Sequence, residues 1–214
     1  ITNPSTGKPT FDFGGNQLRT YGSVSFVSGM GITKNAGSLF GMYNASGTST
    51  LTTNGVLIPR IFLSGAGTKQ LADNLTIDCP SPYSQFQKSE GAVFDPNGKT
   101  VTFTGGSVSF STDSDTTFYN LTITGIADKA DFFAIDRNIT VSNVLTINGN
   151  SAINRLLVRS DTLGTQRTIT AANVTATNSD FRDIKGAGDD DWDLSSATGG
   201  SGDCGGNTGI TFTT

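Results

Sequence analysis

KTVTFTGGSVSFSTDSDTTFYNLTITG, residues 99–125, holds the pattern on which the fold turns. Within it, KTVTFTGG (99–106), GSVSFST (106–112) and NLTITG (120–125) alternate a small polar residue with an apolar one. A period of two is that of a β-strand with one buried face. It sends Val101, Phe103, Val108, Phe110, Leu121 and Ile123 inward, and Thr102, Thr104, Ser107, Ser109, Thr122 and Thr124 outward. The same alternation recurs in SVSFVSG (23–29), RTITA (167–171), where Ile169 points inward, and GITFT (209–213). Strong helix formers do not recur at three-to-four spacing over any long window. Asn-Gly at 54–55, 97–98 and 148–149 and Gly-Gly at 14–15, 105–106, 199–200 and 205–206 punctuate the runs. Both residue types accept positive φ, which makes them low-strain corners. The chain is all-β.

Internal similarity chooses the architecture. RIFLSG (60–65) and NLTITG (120–125) share apolar second and fourth positions and a closing Gly, and each is followed by a second run, NLTI (74–77) and NITV (138–141). A weaker copy pairs LLVRSDTLG (156–164) with NVTA (173–176). A strand-turn-strand unit recurring at irregular spacings of about 20–40 residues implies stacked coils that bury a common interior. The expected fold is a parallel β-helix, or β-solenoid, over 51–214, with 1–50 as a β-rich capping or attachment segment. A β-sandwich or jelly roll is the alternative.

GVLIPRIFLSGAGTKQLADNLTI (55–77), TITAANVTATNSDFRDI (168–184) and SGDCGGNTGITFT (201–213) resemble the repeats of pectin-lyase-like parallel β-helices in phage virion and tail proteins and in bacterial surface proteins. The resemblance lies at the level of pattern and covers most of residues 50–214. It implies a virion-surface or extracellular location and a structural or adhesive role, and some relatives of that kind degrade polysaccharide.

Composition removes several function classes. The 214 residues contain no His, which excludes Ser-His-Asp and Cys-His catalysis and His-bearing zinc sites. A net charge of −4 argues against nucleic acid, which needs a basic face. No apolar run reaches the roughly 20 residues of a membrane helix. The opening ITNPSTGKPT lacks the basic and then apolar pattern of a secretory leader, and the first residue is not Met.

Residues with chemical potential each have a structural counterpart. Asp113, Asp115, Asp128, Asp131, Asp136, Asp180 and Asp183 are the carboxylates available for acid–base work on sugars, and all read as solvated corner residues. Asp180 and Asp183 flank Arg182 at odd spacing, which puts them on opposite faces of a strand. Asp189, Asp190, Asp191 and Asp193 could gather around Ca²⁺, but they lack the spacing of a helix-loop-helix calcium loop and read as a solvated acidic loop. Trp192, inside that loop, reads as packing over an open end of the core. Tyr21, Tyr43, Tyr83 and Trp192 are the aromatics that a glycan binder would expose. Thr-x-Thr at 50–52, 102–104, 122–124, 168–170, 175–177 and 211–213 raises ice binding, although Thr is abundant enough for most such pairs to be coincidental. The sequons at Asn44, Asn74, Asn120, Asn138 and Asn173 read as corner residues bonding their own backbone. Cys79 and Cys204 would sit several coils apart in a solenoid, as free, buried thiols, or at least with no bridge between them.

These readings assign no catalytic, cofactor or metal residue. The expected function is a non-enzymatic structural protein outside a virion: a phage decoration, fibre or spike component. Its expected partners are copies of itself, with a trimer plausible for such rods, and other virion or cell-surface proteins; a glycan ligand is possible. A bacterial cell-surface adhesin and a polysaccharide-degrading tailspike-like enzyme are the alternatives.

Overall fold

The computed structural model describes residues 9–78, 83–188 and 192–214. The chain winds as a β-solenoid of about 8 turns, with no helix among these residues. One sheet has nine strands, one from each coil: Gln17–Thr20, Leu39–Met42, Ile61–Leu63, Phe86–Lys88, Val108–Thr112, Asp131–Ile135, Leu156–Ser160, Ser179–Arg182 and Ser201–Asp203. The second sheet starts with Val24–Ser25, Thr48–Thr52, Thr68–Leu71 and Val93–Asp95. The third starts with Leu75–Ile77 and Thr100–Phe103. Three long strands, Thr116–Thr124, Ile139–Asn148 and Arg167–Thr177, bend from the second face into the third, and their pairing shifts register between Phe118 and Asn120 and between Val141 and Val144. The bulge turns a loop into a bend.

Every strand pair in the described residues is parallel, as a coil of constant handedness requires. Sandwiches and jelly rolls pair their neighbours antiparallel, so that alternative is removed. At about 4.8 Å per strand the nine-stranded sheet is roughly 40 Å long. It begins inside the 1–50 stretch that the sequence sets apart and crosses residue 50 without a break.

Alternation decides the interior. Val101, Phe103, Val108, Phe110, Leu121, Ile123 and Ile169 are all buried. At mid-rod the core is aromatic: Phe110 meets Phe86, Phe103, Phe118 and Phe133 at ring-centroid distances of 5.2, 5.5, 5.7 and 5.1 Å. Burying one such side chain stabilises the fold by about 1.5–3 kcal/mol. Asn54-Gly55 and Asn97-Gly98 are left-handed corners, with φ of 49° and 77°, and 47° and 69°. Asn148-Gly149 is not a corner of that kind. Asn148 ends a strand, and Gly149 is needed because a side chain there would collide with the backbone of Asn178.

The repeat has a different phase from the one read in the sequence. Ile61–Leu63 lies on the first sheet, whereas NLTITG (120–125) lies on the third, and its coil equivalents are Leu75–Ile77, Thr100–Phe103, Val144–Asn148 and Asn173–Thr177. NITV (138–141) belongs to the second face. All three faces of a coil carry the same alternation and end at similar turns, so one face can be mistaken for another. The spacing is irregular, as expected: Arg167 pairs with Ile184 and Ile139 with Ile169, about 17 and 30 residues on, although strands of the first sheet start about 22–25 residues apart.

Candidate functional site

The carboxylates sit at corners, and nearly all are engaged by the fold. Asp113 accepts the Gly91 N–H at 3.0 Å and faces Lys88 Nζ at 3.5 Å. Its pKa lies below the ordinary value, first because of the Gly91 bond and then, against a desolvation penalty, because of Ser114 and Lys88. Asp115 accepts the Asn138 N–H at 3.1 Å, and Asp136 accepts the Thr112 N–H and hydroxyl at 2.7 and 3.0 Å. Asp128 is exposed on a turn. Asp131 and Asp183 are buried, which corrects the expectation of solvated corners. Asp131 accepts from Ser107 Oγ and the Ile126 N–H, and Asp183 accepts the Gly164 N–H. A backbone donor stranded at a corner makes such burial favourable.

Asp180 and Asp183 do not face each other. Asp180 points out of the first sheet and takes a bidentate pair from Arg155, at 2.8 Å from both Nε and Nη2. Arg155 also donates to the carbonyls of Ser179, Gly199 and Gly200. Its guanidinium is held above its ordinary pKa mainly by the Asp180 hydrogen bonds.

Two lysines are buried. Lys69 Nζ donates to the carbonyls of Asn44, Gly65 and Gly67, and burial pushes its pKa down while Glu90 raises it. Lys88 Nζ donates to Ser114 Oγ and to the Asp115 carbonyl beneath a shallow depression lined by Gly91, Val93 and Thr116. Ser114 in turn donates to Asp113. This chain of bonds ties a corner together and leaves Lys88 paired with a carboxylate.

Asp189, Asp190, Asp191 and Cys79 lie outside the described residues, so the acidic-loop calcium reading and the pairing of Cys79 fall outside them too. Asp193 is exposed, and among the described residues no group of three or more candidate ligands could hold a metal ion. Cys204 is a free thiol but exposed, whereas a buried one was expected. It follows the strand Ser201–Asp203 of the first sheet. Trp192 is buried: it donates to the Ala187 carbonyl at 3.2 Å and meets Phe181 edge-on at 6.3 Å.

Hydroxyls and amides form ladders. Thr76, Thr102, Thr122, Thr146 and Thr175 occupy one outward position on five successive coils of the third sheet. Beside them run Thr124, Asn148 and Thr177. The Thr-x-Thr pairs at 102–104, 122–124 and 175–177 therefore share a face, while 50–52 and 168–170 lie on the second face. Asn74, Asn120 and Asn173 recur at one corner, but they bond across coils and not to their own backbone, a second correction. Asn74 Oδ1 accepts the Thr100 N–H, Asn120 Oδ1 accepts the Val144 N–H, and Asn173 donates to the Asn143 carbonyl. Asn138 Oδ1 likewise accepts the Thr168 N–H, and only Asn44 holds its own turn.

Among the described residues, an aromatic cluster joins the candidates Tyr21, which is exposed, and Tyr43, which is half-buried. Tyr21 and Tyr43 lie 5.9 Å apart on the outer surface of the first sheet, and Phe62, one coil further on, meets Tyr43 edge-on at 5.5 Å. Arg19 sits over the Tyr43 ring at 5.2 Å, and Gln17 Nε2 donates to the Tyr43 hydroxyl. Tyr83 stands apart, stacked on Arg60 at 4.9 Å. Phe62 and Arg19 carried no signal in the local sequence. Recurrence of aromatics one coil apart would have shown Tyr21 and Tyr43 together.

Comparison with known proteins decides no family. The chain matches no family model, no curated protein and no solved structure. The reading of function therefore rests on geometry and on the sequence resemblance described above.

Proposed function

We propose that this chain is a rigid, non-enzymatic structural module displayed on the outside of a bacteriophage virion, as part of a decoration, fibre or spike. The observation that carries the reading is the engagement of the carboxylates. Asp113, Asp115, Asp131, Asp136, Asp180 and Asp183 each bind a backbone N–H, a hydroxyl or an arginine of the rod itself. Hydrolysis of a glycosidic bond needs two carboxyl groups facing each other across a groove. Carboxylates spent singly on corners build a cooperative rod, and its outward hydroxyls and amides keep that rod solvated with few charges. Parallel coils whose strands are mostly paired on both sides also suit a particle exposed to harsh surroundings. Copies of the chain side by side, or other surface proteins, are the partners this reading expects.

Immunogold electron microscopy of the source culture, with antibody to the purified chain, tests it. Dense regular label on virus particles is the expected result. Label confined to the cell envelope replaces it with the adhesin reading. Label found only in the medium, together with release of reducing ends from polysaccharide, replaces it with the tailspike-like enzyme.

A second reading is favoured by one observation, the five-coil threonine ladder. Rows of hydroxyls at the strand spacing on a flat sheet are the arrangement that an ice-contact surface needs. Thermal hysteresis of the purified chain, abolished by Thr122→Tyr in the middle of the ladder, would carry that reading. Its absence removes it.

A further inference from the structure

We propose that the open edge of the segment Asn173–Thr177, in the third sheet, is a docking site for one extended peptide strand of a partner protein, uncharged and alternating apolar with hydroxyl residues. Docking there is independent of where the protein is displayed.

The edge is open because the next coil leaves the sheet. Val144–Asn148 pairs with Asn173–Thr177 on one side. On the other side the chain follows Arg167–Thr170 as Ile184–Ala187 and then departs at Gly188, which lies against the backbone of Ala171. Trp192–Asp193 pairs with Ile210–Thr211 instead, and contact resumes only where the Asn178 N–H reaches the Thr198 carbonyl at 3.0 Å. Successive residues of a parallel strand turn their backbone groups to opposite neighbours. The Gly149 N–H bonds to the Thr177 carbonyl, and the Asn178 N–H points the other way. Asn173, Thr175 and Thr177 therefore face Val144–Asn148, and Val174 and Ala176 face the gap. Among the described residues, the N–H and C=O groups of Val174 and Ala176 have no partner. Unpaired backbone groups of this kind are a template for another strand.

The side chains carry the gap inward. Leu75, Val101, Leu121 and Leu145 are fully buried at one inward position of this sheet, and Val174, next in that row, is only half-buried. In the adjoining row Ile77, Phe103, Ile123 and Ile147 give way to Ala176, a side chain with no reach toward the gap. An incoming strand with apolar residues at these two positions covers Val174 and fills the space beside Ala176. Between them, Thr175 ends the outward threonine row, and a hydroxyl residue continues it. Open edges are ordinarily guarded by lysine or proline, but residues 172–177 read ANVTAT, with neither. Strand addition to such an edge takes its affinity from the main chain and its selectivity from alternate side chains.

The slot fits a single strand and excludes a second rod. Gly188 on Ala171 closes one end and Thr198 on Asn178 closes the other. Asn173–Thr177 between them is roughly 16 Å long at about 3.3 Å per residue. An extended segment lies in from the side, whereas the same edge of a second folded copy is flanked by its own closing residues and does not reach.

The test uses the whole chain, isotope-labelled for amide exchange by nuclear magnetic resonance, and the synthetic peptide NVLTING. This is the sequence of residues 143–149, which pairs with Asn173–Thr177 from the other side. In the free chain, exchange should be fast at Val174 and Ala176 and slow at Thr175 and Thr177. The peptide should bind saturably and slow exchange at Val174 and Ala176 by at least about tenfold. The same peptide with Thr146→Pro should not bind. In the chain, Ala176→Pro removes an N–H that faces the gap and no bond to Val144–Asn148. It should weaken the peptide by at least about tenfold in apparent Kd, with an unchanged far-ultraviolet circular dichroism spectrum. Slow exchange at both residues in the free chain overturns the proposal, because the edge is then already paired. So does the lack of saturable binding up to about 1 mM peptide, or binding that leaves both amides unprotected. Protection that rises with protein concentration and not with peptide assigns the edge to a second copy and overturns it as well. The wild-type exchange data decide the matter even where Ala176→Pro fails to fold.

Discussion

Arg155 fastens the last coils to the rest of the rod, and its replacement gives a sharp test of both magnitude and architecture. Its guanidinium spans three coils: it leaves the strand Leu156–Ser160, pairs with Asp180 on the next coil, and reaches the carbonyls of Gly199 and Gly200 at 2.7 and 3.1 Å, where the chain enters the last coil. An exposed ion pair contributes about 0–1 kcal/mol, and breaking a fully buried one costs about 3–5 kcal/mol. Here the two side chains are 24% and 25% exposed, between those limits, and the carbonyls of Ser179, Gly199 and Gly200 each lose a hydrogen bond as well, Gly200 keeping the Ser179 N–H. Arg155→Ala should therefore cost about 2–3 kcal/mol. Arg155→Lys keeps the charge but not the fork and should cost about 1–1.5 kcal/mol. Asp180→Ala should cost less than Arg155→Ala, because the arginine keeps its three carbonyls.

The assay is native-state hydrogen exchange, resolved along the chain. Coils of a solenoid contact only their neighbours, so the loss should appear in strands Ser179–Arg182, Ile184–Ala187 and Ser201–Asp203, with protection of Ile61–Leu63 and Thr100–Phe103 unchanged. A loss spread evenly along the rod would refute the nearest-neighbour picture. A loss below about 0.5 kcal/mol would refute the clasp.

Three further predictions concern the core and the corners. Phe110→Ala, which empties a site lined by four rings, should destabilise the rod by about 3–5 kcal/mol in urea denaturation, and Phe110→Leu by well under half as much. Lys69→Met removes three hydrogen bonds to carbonyls, of which Asn44 and Gly67 keep the N–H groups of Gly67 and Val93, and should cost about 1–3 kcal/mol. Because the folded pKa of Lys69 is depressed, the unfolded chain binds more protons as pH rises toward 10.5, so the wild type's margin over this variant should widen across that range in pH-stepped denaturation. Asp113 is depressed in the folded state, so its contribution is present above 3.8 and lost as pH falls through the folded value; Asp113→Asn should flatten part of the acid-unfolding limb.

Much of this fold was legible in the sequence because strand alternation is a local signal. Phe103 and Phe110 point inward and Thr102 and Ser109 point outward for reasons contained within a few residues. The phase of the coil is not local. NLTI at 74–77 and NLTITG at 120–125 share a face, and RIFLSG at 60–65 does not, because the choice is made by which strand lies one coil above. The same holds for the candidate sites. Arg155 and Asp180, Tyr21 and Tyr43, and Asn120 and Val144 are each separated by about one coil, and only stacking brings them together. The burial of Asp131 and Asp183 was missed for a related reason: their backbone donors come from elsewhere along the corner or from another coil.

The acidity of the chain then has a structural cause. Where the backbone leaves a sheet at a corner, its N–H groups lose their ladder partners and need an acceptor. Asp73 serves the Thr53 and Asn54 N–H groups at 2.7 and 2.6 Å, Asp136 serves Thr112, Asp113 serves Gly91 and Asp183 serves Gly164. The short arm of Asp reaches the neighbouring corner directly, and Glu carries an additional rotatable bond that must be fixed. That explains a chain with a single Glu, Glu90, among its 18 acidic residues. It also changes the weight of the composition as evidence. The net charge still disfavours nucleic acid, but it says nothing for an acidic active site, because the carboxylates are part of the scaffold.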